Sequence, residues 1–247
     1  MTDARGRLDV DGLEMSFGAA RVLSGVTFQV APGERHGLIG VNGAGKTTLF
    51  NIIAGDLAPS AGSIRFDGRE LRGRSVQERV LMGLGRTYQV SSLAMSQTVR
   101  ANLVLSLGDG RLPSTWMPWR RASDDPRLRR VIEDLDLAAH LDTQVDELSH
   151  GVQRQLELAM VLHRDPEILL LDEPAAGLSP AERERLVSAI EALPAGITLL
   201  MVEHDLDVIM KLCRRITVLH QGRILMSGTP QEVVANQTVR DVYLGVA

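Results

Sequence analysis

The stretch Gly40-Val41-Asn42-Gly43-Ala44-Gly45-Lys46-Thr47 fits the pattern G-x-x-x-x-G-K-[ST]. Its glycines let the backbone turn through conformations closed to residues with a Cβ, so successive N–H groups can point at one anion. Lys46 can bring an ammonium to the β- and γ-phosphates of a nucleotide, and Thr47 can offer a hydroxyl to Mg²⁺. The flanks agree. His36-Gly37-Leu38-Ile39 reads as a short buried strand entering the loop, and Thr48 to Ala54 reads as a helix leaving it, with Gly55 as its stop. A phosphate would then meet a helix N-terminus, where free N–H groups and the dipole favour negative charge.

The chain of 247 residues is long enough for a large core, and 44% hydrophobic with 23% charged residues is a globular composition. A net charge of −4 gives no general pull toward nucleic acid or an anionic membrane. The single cysteine, Cys213, excludes an internal disulfide and suits a cytoplasmic protein. Charged residues interrupt the first positions, so no signal peptide is expected. No apolar run approaches the roughly 20 residues needed to span a bilayer. Work at a membrane would require docking to another chain.

Outward from the loop, residues 7–31 read as β structure, with Phe17-Gly18 in a loop, and Ile64 and Phe66 belong to a further strand. Ser75–Met82 reads as a short helix, and Thr87-Tyr88-Gln89 as a strand end. Residues 90–155 differ in character. Helices are expected at 98–107 and 127–139, and between them lies a loop rich in Gly, Pro, Ser and Asp that carries both tryptophans, Trp116 and Trp119. Another helix follows Leu148. Ile168–Leu171 suits a central parallel strand. Helices at 180–193 and 205–213 then alternate with strands at 197–202 and 216–219. This rhythm argues for a mainly parallel sheet covered on both faces.

Further chemistry sits at strand ends. Asp172 can hold Mg²⁺ opposite Thr47, and Glu173 can orient and deprotonate a water for attack on the γ-phosphate. His204, after the next strand, can donate a hydrogen bond to the transferred group. Gln89 can touch the Mg²⁺ or the water, and Phe17 can stack on adenine. Ser149 is a good N-cap, and the helix it opens exposes a second set of N–H groups suited to an anion. Two such helix starts suggest a nucleotide clamped from both sides, the second side supplied by another subunit.

These motifs together resemble the ATP-binding cassette (ABC) family, the ATPase subunits of ABC transporters, over essentially the whole chain. The resemblance implies an α/β P-loop NTPase (RecA-like) core, with an N-terminal antiparallel β subdomain and an inserted α-helical subdomain. Residues 1–89 and 156–247 would form the core and 90–155 the insertion. Asn42, Gly43, Ala44, Gly45, Lys46, Thr47 and Thr48 belong to the Walker A loop, and Asp172 ends Walker B. Glu173 resembles the catalytic carboxylate, Gln89 the Q-loop glutamine, His204 the switch histidine and Phe17 the adenine-stacking aromatic. Ser149 and Gly151 resemble the signature motif that meets the opposite subunit's γ-phosphate. Departures fall at His150 and Val152 of that motif and at Ser179 of the D-loop, where the family usually has Asp. ATP and Mg²⁺ are the implied cofactors.

The implied partners are a second ATPase subunit, transmembrane permease subunits and, for an importer, a solute-binding protein, at the cytoplasmic face of the membrane. No nucleic-acid partner is implied. Ala175–Pro180, Arg86–Gln89 and Val242–Gly245 are similar to the ATPases of branched-chain amino acid importers. Ser149-His150-Gly151 is also similar to urea importers, and the C-terminus to lipopolysaccharide export. A non-transport ABC ATPase and a P-loop kinase or GTPase are the other readings. The first lacks a second cassette, and the last lacks an Asn-Lys-x-Asp guanine reader.

Overall fold

The computed structural model describes residues 5–87, 93–107 and 124–244. The chain runs through β1 (Leu8–Phe17), β2 (Ala20–Val30), β3 (Arg35–Ile39), α1 (Lys46–Ala54), β4 (Ala61–Phe66), β5 (Arg69–Glu70), α2 (Val76–Leu81) and β6 (Leu84–Arg86). Then come α3 (Val99–Ser106), α4 (Pro126–Asp134), α5 (His150–Leu162), β7 (Ile168–Asp172), α6 (Pro180–Glu191), β8 (Thr198–Val202) and α7 (Leu206–Leu212). β9 (Arg215–His220), β10 (Arg223–Gly228), α8 (Pro230–Ala235) and α9 (Gln237–Leu244) close it. The described parts of residues 1–86, 167–173 and 194–247 form one compact unit, and those of 87–166 and 174–193 form a second.

The first unit holds two sheets. β2-β1-β4-β5 is antiparallel, and β10-β9-β3-β8-β7-β6 is parallel except for β10. β7 and β8 are buried at every residue, as expected of strands covered on both faces. Their register pairs Asp172 with Val202. The residues that follow, Glu173 and the turn bearing His204, therefore emerge side by side at the carboxyl edge of the sheet, the usual place for a ligand in such folds. Side chains also tie β3, β9 and β10 together toward the opposite, amino-terminal end of the sheet. His36 of β3, fully buried, exchanges hydrogen bonds with Glu34 Oε1 at 2.7 Å and Thr217 Oγ1 at 2.8 Å, and Thr217 does so with Ser227 at 3.0 Å.

In the second unit α5 packs on α3, α4 and α6. Buried Asn102 on α3 is satisfied locally, donating to Ala94 O and Thr98 O and accepting from Ala94 N.

Two expectations are corrected, and one strand appears that the sequence reading did not include. Phe17 is not in a loop but ends β1, paired with Ala20 across the turn Gly18-Ala19. The helix expected at 127–139 stops at Asp134. Asp136 takes a positive φ of 53°, and a separate 3₁₀ turn follows at Ala138–His140. β10 was not expected, because four of its six residues are only half-buried and carry a weak alternation. Tyr88, Gln89, Trp116, Trp119 and Gly245 lie outside the described residues.

Candidate nucleotide-binding site

The loop after β3 folds as its glycines require. Gly45 caps α1 with φ 103°, and a Cβ there would stand 2.8 Å from Leu23 Cδ2 and 3.1 Å from the Val22 carbonyl. No side chain caps α1 and no acid occupies its first turn, so the first-turn N–H groups have no local anion. Gly45→Ala is expected to destabilise this loop by about 1–3 kcal/mol and to weaken the thermal shift that ATP produces. An unchanged shift in a scanning-fluorimetry titration would count against the loop as the phosphate cradle.

Lys46 is the first residue of α1 and is buried. Its Nζ donates to Gly40 O at 2.6 Å and Val41 O at 3.2 Å. Burial lowers its pKa, opposed by the charges of Glu173 and Asp172. A cavity of about 210 Å³ opens here, lined by Val22, residues 42–48, Glu173 and His204. Glu173 Oε1 lies 2.5 Å from His204 Nε2. The Glu173 backbone has φ 48°, and its N–H donates to Val202 O at 2.8 Å. A non-glycine residue held in that region by its surroundings is a common mark of a functional site. The His204 N–H donates to the side chain of buried Glu203 at 3.0 Å.

Asp172 lies at the end of β7, 3% exposed, and neither carboxylate oxygen has a hydrogen-bond partner among the described residues. Burial raises its pKa, and the Arg86 guanidinium 3.7 Å away counteracts that. Arg86 also pairs with Asp56, donates to Asn51 Oδ1 at 2.6 Å and stacks 5.3 Å over Phe50. It thus ties α1 to the Asp172 edge, a role that reading Arg86 only as part of Arg-Thr-Tyr-Gln does not reveal. Buried carboxylate oxygens without a hydrogen-bond partner are exceptional in folded proteins, and the Arg86 guanidinium is the nearest compensating charge. Among the described residues no group of three His, Cys, Asp or Glu gathers into a cage that could hold a metal ion.

Of the other expected site residues, Phe17 belongs to the same unit as the cavity. Phe17 is half-exposed at the β1–β2 turn and does not line it. Ser149 and Gly151 belong to the second unit, where Ser149 caps α5 by accepting from Val152 N. Gln89 is outside the described residues.

A parallel sheet, a glycine loop opening a helix, and an acid pair with a histidine at adjacent strand ends define a P-loop nucleotide triphosphatase. The particular family follows from comparison. Residues 23–176 match the ABC transporter family, and residues 223–247 match the branched-chain amino acid ATP-binding cassette transporter family. The chain is 38% identical over 252 residues to the high-affinity branched-chain amino acid transport ATP-binding protein LivG of Escherichia coli (strain K12), covering 97% of this chain and 98% of that one. It is 35% identical over 241 residues to the lipopolysaccharide export system ATP-binding protein LptB of Acidithiobacillus ferridurans, covering 96% of each. It is also similar, with a TM-score of 0.85 and 28% identity over 97% of this chain and 99% of the other, to the ADP conformation of an ATP-binding cassette of an ABC transporter.

The chain belongs to the ABC transporter family. It is an ATP-binding, ATP-hydrolysing subunit whose work requires membrane permease partners. No helix among its described residues is long and apolar enough to cross a membrane.

Proposed function

We propose that this subunit powers uptake of branched-chain amino acids through permease partners at the cytoplasmic face of the membrane, with a solute-binding protein delivering the solute. The likeness to LivG supports the solute class, and the C-terminal match over residues 223–247 is the observation that carries it. The likeness to LptB supports the second reading, lipopolysaccharide export. Co-expression with candidate permeases decides between them. The importer reading expects co-purification with an amino acid permease and ATP-dependent leucine uptake by the reconstituted complex. Co-purification with an export permease, without leucine uptake, overturns it.

Within the site, residues 42–48 cradle the phosphates with backbone N–H groups, and Lys46 exchanges its carbonyl partners for phosphate oxygens. Asp172 and Thr47 would hold Mg²⁺, with Gln89 a further candidate contact. The ion supplies charge neutralisation on the phosphates. Glu173 takes the proton of the attacking water, and His204, fixed against Glu173, donates a hydrogen bond toward the transferred group. Phe17 stacks on the adenine. Ser149 and Gly151 contact the γ-phosphate held by a second ATPase subunit, so two nucleotides are enclosed between two head-to-tail chains. ATP stabilises the paired state because it contacts both chains there, and hydrolysis removes that difference. Residues 1–89 and 156–247 act as the core of this cycle and 90–155 as its helical insertion.

A further inference from the structure

The donors assigned above to a partner's phosphate are already in use. Gly151 N–H donates to Glu182 Oε1 at 3.1 Å, and the Ser149 side chain is hydrogen-bonded to the same carboxylate. The second oxygen, Oε2, accepts from Ser179 Oγ at 2.7 Å and Ser179 N at 3.1 Å, completing the capping box of α6. One carboxylate therefore serves the N-termini of two helices, α5 and α6, where the dipoles favour an anion.

Position 151 is shaped around this arrangement. A Cβ on Gly151 would lie 2.7 Å from Glu182 Cγ and 2.9 Å from its Cβ. The glycine thus makes room for this chain's own glutamate. Those donors hold the Glu182 carboxyl down at about 2, so it stays charged at any physiological pH.

We propose that Glu182 is a built-in placeholder anion, which occupies the Ser149–Gly151 donors in the unpaired subunit and must yield them when a partner's nucleotide arrives. This rests on the head-to-tail pairing proposed above. The physical basis is competition. A single N–H and a single hydroxyl cannot fully serve a carboxylate and a phosphate together, and the two anions repel at close range. Glu182 therefore sets the ATP level at which pairing begins, acting through Ser149 and Gly151 rather than on the reacting atoms. It is a positioning residue, and its capping partner Ser179 holds it ready to return after product loss.

The test uses the full chain in a Glu173→Gln background, with the ATP concentration for half-maximal pairing read by analytical ultracentrifugation. Glu173→Gln alone must pair with ATP. If it does not, the pairing reading falls and the placeholder role falls with it. Adding Glu182→Gln keeps side-chain length and a capping-box residue but removes the charge. It is expected to lower the required ATP by roughly two- to five-fold, and the gain is expected to shrink at high salt as the repulsion is screened. Glu182→Met serves as a second neutral variant should the first fail to fold. An ATP requirement that is unchanged or raised in a folded neutral variant overturns the proposal. So does a gain indifferent to salt, because a purely structural loosening of the α5–α6 corner would be salt-insensitive.

Discussion

Glu173→Gln is expected to lower ATP turnover by roughly 10²- to 10⁴-fold while ATP binding survives. The argument begins with place. Glu173 follows the last residue of a fully buried strand, and its backbone is held at φ 48° by the bond from its N–H to Val202 O. That constraint aims the carboxylate into the cavity beside the Lys46 loop, against His204 at 2.5 Å. Glutamine fits the same space and still offers an acceptor to His204, but its amide does not take a proton from water. The phosphate-binding N–H groups and Lys46 are left in place, so the thermal shift with ATP should persist. The trapped chain should accumulate as an ATP-bound pair in size-exclusion chromatography. His204→Ala should also slow turnover, and because the two side chains touch, the double variant should lose less than the sum of the single losses. Turnover of Glu173→Gln within about twofold of the starting chain would remove Glu173 from the role of base.

This part of the site was legible because its constraints are local or topological. Eight consecutive residues specify the loop, and strand-loop-helix flanks confirm its setting. The meeting of Glu173 and His204 follows from adjacent parallel strands, an arrangement that the apolar run at 168–171 and the strand expected at 197–202 already suggest. Ser179 was legible in another sense than expected. As a D-loop position it is a departure from the family's aspartate, but Ser179-Pro180-Ala181-Glu182 is also a capping box, and that is how it folds.

What the sequence conceals is reach across space. No spacing rule brings Glu182 to Gly151, 31 residues away, and no pattern marks Arg86 as the link between Asn51, Asp56 and Asp172. Such long polar side chains look like solvated surface in a sequence, and only packing turns them inward. β10 was hidden for the opposite reason, since a half-buried edge strand has little alternation to read.

Arg79 is the extreme case of that concealment, and Arg79→Leu is expected to lower stability by about 3–5 kcal/mol, or roughly 6–20 °C in Tm for a chain of this size. On a six-residue helix it reads as a surface cation, yet it is 3% exposed. Its guanidinium donates to Ile52 O at 2.6 Å, Ile53 O at 2.7 Å, Leu71 O at 2.8 Å and Arg74 O at 3.2 Å. Two of these are the last carbonyls of α1, which have no partner within the helix, and a cation there also meets the negative end of the helix dipole. Burial lowers the pKa of the group, and the charges of Asp56 and Glu70 oppose that shift. Leucine would fill most of the volume but strand up to four buried carbonyls.

Lysine would restore charge with a single ammonium, which cannot reproduce the fork that spans both α1 and the Leu71–Arg74 turn, so Arg79→Lys should recover only part of the loss. Urea melts of the three chains check the order. Because α1 carries Lys46 at its other end, loosening its C-terminus should also weaken the ATP-induced thermal shift. A Tm change under about 2 °C for Arg79→Leu would mean that the four carbonyls find other donors, and that the buried guanidinium is not what anchors the nucleotide-bearing helix.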